Sequence, residues 1–340
     1  MSLVLVTGAT GFTGKQTVLA LLARGYEVRG TMRSLSRAEE IHRVLEPHAP
    51  DVRRRVHFVE TSLESDAGWD AALDGCDAVL HVASPMPFKM PDDPNELIVP
   101  AREGVLRILA IAARQGIRRV VMCSSTSAIC DGHPPGRRGP YTEEDWTNLD
   151  NPAVPPYPRS KTIAERAAWD FVRTRAPQVE FATVQPGLIL GPLLDADYGV
   201  SPDFVRQILS GQMKGFPRLC YNPVDVRDVA GMMIDCMEKP QAVGQRFLCA
   251  ATQMWLAEFG ACLRRNFPSH ADRISTVEVP DEVLIAQVGT NPQAAALVPR
   301  LGQEIAYDTG KAQRLLGFRF RTSEEAVVET ARSLIALGLA

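Results

Sequence analysis

Leu3-Val4-Leu5-Val6-Thr7-Gly8-Ala9-Thr10-Gly11-Phe12-Thr13-Gly14 opens with an apolar run rich in Val, breaks into a glycine turn and leads into a helical pattern. Such a turn lets backbone bend tightly and approach a pyrophosphate with no side chain in the way. The helix that follows presents unpaired N–H groups and the positive end of its dipole. Strand before and helix after are what give the glycines meaning, and together they predict a dinucleotide phosphate site. A glycine turn without a ligand is the alternative, and that context weighs against it.

Working outward, apolar runs at residues 3–6, 27–32, 56–60, 78–82, 119–123 and 180–185 alternate with helix-length amphipathic stretches. Residues 17–24, stopped by Gly25, and 101–115, stopped by Gly116, are the plainest helices, each ending at the residue that tolerates a left-handed cap. This rhythm predicts an α/β protein built on a Rossmann-type doubly wound parallel sheet over residues 1–190. Beyond Gly191-Pro192 the pattern loosens into short helices and Pro-rich turns, as at 211–223 and 277–299. Residues 191–340 are therefore expected to form a smaller, mainly helical substrate-binding domain, with some segments returning to the core.

The 340 residues leave room for one large or two modest domains at about 150 residues each. Thirty-seven Lys plus Arg against forty Asp plus Glu give a net charge of −3, without the basic excess that nucleic-acid binding requires. No apolar run approaches the ~18 residues of a membrane span. The seven cysteines are scattered and odd in number, so neither a disulfide framework nor a zinc ribbon is expected. His81 and His133 have no partners at ligand spacing, and no metal site is expected. With a strand opening at Leu3 and no basic stretch before it, a cytoplasmic location is the expectation.

Arg33 ends the second apolar run, where NAD-preferring sites place an acidic residue, and Arg37 follows shortly after. A guanidinium there favours NADP over NAD, the alternative being a plain surface arginine. Downstream, Tyr157-Pro158-Arg159-Ser160-Lys161 puts a phenol and an ammonium one helical turn apart. An adjacent cation stabilises a phenolate and brings Tyr towards proton exchange at neutral pH. A second such spacing, Tyr307 to Lys311, contains Gly310 and lies in the looser half, so it reads as structural. The run Val120 to Cys123 ends in Ser124-Ser125 at the sheet edge where open α/β folds hold ligands. Ser125, Tyr157 and Lys161 together form a candidate constellation for hydride transfer to a carbonyl. Turn serines beside a packed tyrosine are the alternative. Cys123 and Cys130 flank Ser125, and inert buried thiols are a better reading of them than a redox pair.

TGATGFTG, the strand-end SS, YPRSK and QPGLILGP together resemble the extended short-chain dehydrogenase/reductase superfamily. Within it, VRGTMR, LHVASPMPF, YTEEDWTNLD and SKTIAERAAWDF are similar to dihydroflavonol 4-reductase-like enzymes, including bacterial aldehyde and ketone reductases. The resemblance implies an NADPH-dependent carbonyl reductase. By motif position it implies Gly8, Thr10, Gly11, Phe12 and Thr13 around the pyrophosphate, Arg33 at the 2′-phosphate and Leu63 near the adenine. Val82, Ala83, Ser84, Pro186 and Ile189 would line the ribose and nicotinamide, with Ser124, Tyr157 and Lys161 completing the cofactor set. Ser62 stands where the family has Asp, Glu40 where plant relatives have Lys, and 126–130 lacks the Asn that recognises flavonoids. A lining of Met86, Phe88, Ile129, Leu188, Leu193 and Phe204 suggests a hydrophobic or aromatic aldehyde or ketone, core packing being the competing use of each. Hydroxysteroid or alcohol oxidation and sugar-nucleotide epimerisation are alternatives, and a silent NADP sensor is a third that the retained Tyr and Lys oppose. The helices starting near Ala101 and Pro158 leave monomer or homodimer open.

Overall fold

A computed structural model of the protein describes residues 2–86, 91–134, 136–291, 294 and 297–340. Among these residues the apolar runs become β1 (Leu3–Thr7), β2 (Glu27–Met32), β3 (Val56–Glu60), β4 (Ala78–His81), β5 (Arg119–Cys123) and β6 (Glu180–Pro186). With a seventh strand, Arg246–Cys249, they form an all-parallel sheet in the order Arg246–Cys249, β6, β5, β4, β1, β2, β3. The order in which strands are added reverses between β1 and β4, which opens a crevice at their carboxyl ends, the place where such sheets hold ligands.

Neighbouring side chains of a strand face opposite ways, so a strand covered on both sides must be apolar at every position. β1 sends Val4 and Val6 into one cluster and Leu5 into the other; β5 splits Val121 and Cys123 from Val120 and Met122 in the same way. The first cluster is covered by α1 (Phe12–Ala23), α2 (Ala38–Leu45) and α3 (Val52–Arg55). The second is covered by α4 (Trp69–Leu73), α5 (Asn95–Gln115) and α6 (Pro156–Arg175), with α5 packed along α6. α1 and α5 start earlier than their apolar stripes, at Phe12 rather than 17 and Asn95 rather than 101. Their first turns are fixed by what they pack against rather than by periodicity.

α7 (Val200–Leu209), α8 (Val226–Glu238) and α9 (Leu256–Asn266) follow. α8 packs on α1 and joins the first cluster, and Arg246–Cys249 extends the sheet, so the chain beyond 191 contributes to the core. A third cluster gathers Leu190, α7, Phe216, α9 and the C-terminal helix Ser323–Ala336. Residues 211–223, expected as loop, hold Phe216–Pro217 paired with Glu278–Val279 and Cys220–Tyr221 paired with Met254–Trp255. The third cluster is pinned against the start of α1. Phe12 packs into it, the Gln16 amide donates to the Pro192 carbonyl at 2.9 Å, and the buried Lys15 ammonium donates to Asp195 and to the Asp197 carbonyl. None of the described helices is long and apolar enough to cross a membrane.

Candidate active site

The glycine turn sits at the crevice. Gly8 has φ +65°, and a Cβ there would also come within 3.1 Å of Ala83 Cα, in the segment that follows β4. A Cβ on Gly14 would stand 2.0 Å from the Gly8 carbonyl oxygen, so α1 can seat on the turn only with glycine there. Gly11 differs: its φ is −78° and the nearest heavy atom to an added Cβ is 3.6 Å away. Nothing in the protein demands glycine at Gly11, and the open space in front of it is where a pyrophosphate would lie. Gly11 is also the N-cap of α1 and offers no side-chain bond, so the first-turn N–H groups, those of Phe12 and Thr13 included, remain unspent for an anion. Thr10 and Thr13 flank the turn, both half-buried.

Thr7 holds the two sides of the crevice together. Its Oγ1 accepts from the Val82 and Ala83 N–H groups at 3.0 Å each and lies 2.8 Å from His81 Nδ1. Having accepted twice, the hydroxyl spends its one hydrogen on Nδ1, so His81 is the neutral acceptor that orders Val82 to Ser84. Burial, together with the nearby Lys161 charge, pushes the His81 pKa down to about 3 from 6.5. The unfolded chain binds a proton near 6.5 that the native state refuses until about 3. Native stability is therefore lost as pH falls through that window, by about 2 kcal/mol at about pH 5. His81→Gln is expected to flatten the fall of the urea midpoint between about pH 7 and 5; an unchanged slope would place the acid sensitivity elsewhere.

At the outer end of β2, Arg33 is exposed and makes no hydrogen bond or ion pair with any described residue. Arg37 is already committed, to Glu40 at 3.1 Å and to Asp197 at 2.9 Å. Arg33 is thus the cation left for a phosphate.

Ser125, two residues past the end of β5 and extended, caps the short turn Thr126–Ala128, its Oγ accepting from the Ser127 N–H at 3.1 Å. That leaves its O–H to donate outward. α6 packs on this turn. Its start is set by Pro155 as N-cap and Pro156 in the first turn, where a missing N–H costs nothing. Tyr157 and Lys161 then share one face, with Lys161 Nζ 5.9 Å from the centre of the Tyr157 ring. Lys161 is 5% exposed, and neither its ammonium nor the Tyr157 hydroxyl has a hydrogen-bond partner among the described residues. Three polar groups with capacity to spare converge on one edge of the sheet.

One turn further along α6, Glu165 is fully buried and gathers that edge. It accepts from Ser124 Oγ, from Thr183 Oγ1 at 3.0 Å, from Gln185 Nε2 at 2.8 Å and from Arg246 Nε at 2.8 Å. The Arg246 guanidinium lies 3.7 Å from the centre of the Trp146 ring and donates to the carbonyls of Glu143 and Asp145. Thr147 completes the buttress: its Oγ1 donates to the Ser127 carbonyl at 2.7 Å and accepts from the Asp131 N–H at 3.1 Å. The stretch YTEEDWTNLD is therefore what braces the turn behind Ser125. No motif marks Glu165 or Arg246, although a carboxylate between Ala164 and Ala168 on the apolar stripe of α6 is a readable signal.

A model of the NAD dependent epimerase/dehydratase family matches residues 4–250. The chain belongs to this family. It is 36% identical over 273 residues to rice cinnamoyl-CoA reductase 1, covering 79% of this chain and 77% of that protein. It is 30% identical over 280 residues to grapevine anthocyanidin reductase, covering 78% and 81%. Yeast methylglyoxal/isovaleraldehyde reductase, solved with NADPH, superposes with a TM-score of 0.83 at 25% identity over 99% of this chain and all of that one.

Within this member of the epimerase/dehydratase family, several expected residues are used otherwise than the motifs suggest. The Ser124 hydroxyl donates its hydrogen to Glu165. Leu63 turns its side chain into the second cluster, where it meets Gly104 of α5, and its carbonyl accepts from Arg107 at 2.9 Å. Ile129 and Leu193 are buried in core clusters rather than lining a cleft, while Leu188 and Phe204 are half-buried against the third cluster. Met86 is 43% exposed, and Phe88 lies outside the described residues. Pro186 ends β6, and Ile189 follows in the three-residue strand Leu188–Leu190, both at the crevice end of the sheet. All seven cysteines are free; burial pushes the Cys123 thiol up, and burial beside Asp131 pushes Cys130 up to about 12, so neither is a thiolate at neutral pH. In the second Tyr-to-Lys spacing, Tyr307 precedes the helix Gly310–Leu316 and bridges Tyr141, while Lys311 Nζ lies 5.6 Å from the centre of the Phe247 ring. That pair does not share a helix face.

Proposed function

We propose that the protein is an NADPH-dependent carbonyl reductase that converts a hydrophobic or aromatic aldehyde or ketone to an alcohol, with Tyr157 as proton donor. Residues 1–190 hold most of the dinucleotide site and the chain beyond 191 covers the substrate. The observation that carries this reading is that the Ser125 O–H, the Tyr157 phenol and the Lys161 ammonium donate to no described residue, on a helix and a turn that pack together. When bound, NADPH supplies the hydride. The Ser125 O–H donates to the carbonyl oxygen and polarises it, and Tyr157 gives that oxygen its proton as negative charge develops there. Lys161 stabilises the phenolate left behind and reaches the nicotinamide ribose. The names of the rice and grapevine relatives, and NADPH in the yeast reductase, support the reaction class and the cofactor.

The test follows loss of dihydronicotinamide absorbance with NADPH and NADH separately, against aliphatic and aromatic aldehydes and ketones. Turnover that prefers NADPH is expected. Arg33→Asp is expected to lower kcat/KM for NADPH by about 10- to 100-fold while sparing NADH, because a charge-assisted contact to the 2′-phosphate is replaced by repulsion. Equal use of both cofactors by the unaltered protein would remove Arg33 from that role, and inertness towards every carbonyl would remove the reductase reading.

A further inference from the structure

The cleft beside Ser125 has a polar wall that neither the glycine turn nor the Tyr157 and Lys161 pair uses. Cys130 and Asp131 come from the turn after Ser125, Tyr221 from the strand Cys220–Tyr221, and Arg300 and Tyr307 from the chain between α9 and the C-terminal helix Ser323–Ala336. All five are partly exposed, and the charge of Arg300 is felt by Asp131, Cys130, Tyr221 and Tyr307. Tyr307 packs with Ile129 and Cys130, so this wall begins at the turn that Ser125 caps. The Arg300 guanidinium lies 5.2 Å from the centre of the Tyr221 ring and, among the described residues, makes no hydrogen bond and no ion pair.

An arginine set into a cleft with its planar fork of donors unspent is an incomplete arrangement, and a carboxylate is the group whose geometry completes it. Asp131 lies close enough to feel the Arg300 charge but makes no ion pair with it. Its carboxyl meets the Cys130 thiol at 3.8 Å, and burial raises its pKa against the pull of Arg300. Cys130 and Tyr307 stay neutral, both pushed up by burial, so they bring no competing negative charge. Beside this polar end, the Tyr221 ring meets Phe204 at a tilt, centres 5.2 Å apart, and Phe204 meets Phe259 edge-on at 5.8 Å, which gives the wall an aromatic flank.

We propose that Arg300 receives a carboxylate carried by the substrate, so that the preferred carbonyl compounds are oxo acids with an apolar body. This rests on the carbonyl-reductase reading and adds to it the second point at which the substrate is held. Arg300 acts on substrate choice and takes no part in hydride or proton transfer.

The test is steady-state kinetics with NADPH on an aryl-substituted oxo acid, its methyl ester and an aryl aldehyde, in the unaltered protein, Arg300→Lys and Arg300→Met. The unaltered protein is expected to favour the acid over the ester in kcat/KM by about 10- to 100-fold, through KM rather than kcat. Arg300→Met is expected to bring that ratio to about one, and Arg300→Lys to leave an intermediate preference. A preference for the ester in the unaltered protein, or an acid-to-ester ratio untouched in Arg300→Met, overturns the proposal while turnover of the aldehyde leaves the reductase reading intact. If no carbonyl is reduced at all, the reductase reading fails instead. Calorimetric binding of the oxo acid to the NADPH-loaded protein then decides the role of Arg300: binding lost in Arg300→Met upholds it and binding retained overturns it.

Discussion

Tyr157→Phe is expected to lower kcat by about three orders of magnitude while NADPH affinity changes little. The substitution removes one oxygen from a half-buried ring at the start of α6 and leaves the prolines that set the helix, and the Lys161 ammonium beside it, in place. Only the proton that the alkoxide-like oxygen needs is withdrawn, so the loss falls on the transition state and appears in kcat and kcat/KM together. Three orders of magnitude correspond to about 4 kcal/mol, within what a positioned proton donor supplies beyond solvent. Single-turnover rates with saturating NADPH, alongside a titration of cofactor fluorescence, separate chemistry from binding. A variant keeping more than about a tenth of the original kcat would show that another group or water delivers the proton, and Ser125 would then carry the polarising role alone.

The fold was legible because strands covered on both faces carry short apolar runs, such as Leu3 to Val6 in β1 and Val120 to Cys123 in β5, and β2, β3 and β5 begin and end where expected. The seventh strand was not, because Arg246-Phe247-Leu248-Cys249 lies in the looser stretch beyond 191, outside the strand-helix rhythm, and only the fold shows that its opening charge is met by Glu165. The same division runs through the site. Gly8 to Gly14 and Tyr157 to Lys161 act across one turn of chain, so their spacing is printed in the sequence. Glu165 meets Arg246 across 81 residues, and Arg300 reaches the cleft of Ser125 from the far end of the chain. Such encounters have no periodicity to announce them. Ser124 illustrates the limit of motif reading: its place in the motif is as expected, but β5 turns its hydroxyl inward to Glu165, and adjacency to Ser125 does not reveal that.

Glu165→Ala is expected to destabilise the protein by about 3 to 5 kcal/mol, because it strands the largely buried Arg246 without its counter-charge. Arg246 is 8% exposed and its Nη2 already lacks a partner, as does Gln185 Oε1, so this buried network has no slack with which to absorb a further loss. Ser124 and Thr183 would lose their acceptor and Gln185 one of two, and an unsatisfied buried donor costs about 1 to 3 kcal/mol. The pair's charge is what makes the single change severe, so removing both charges should be milder: Glu165→Leu with Arg246→Met is expected to be less destabilising than either alone. Urea unfolding of the two single variants and the double closes that cycle. Activity adds a second readout, because Glu165 touches neither substrate nor cofactor but holds Ser124, and with it Ser125, to the helix that carries Tyr157 and Lys161. Glu165→Gln keeps the shape and one acceptor oxygen, and is expected to retain the fold while kcat falls about tenfold at unchanged NADPH affinity, since a small misplacement of reacting groups is felt strongly in rate. A Glu165→Ala protein that unfolds within about 1 kcal/mol of the original would mean that water enters and solvates Arg246, and the network would then be packing rather than the brace that aligns the reacting groups.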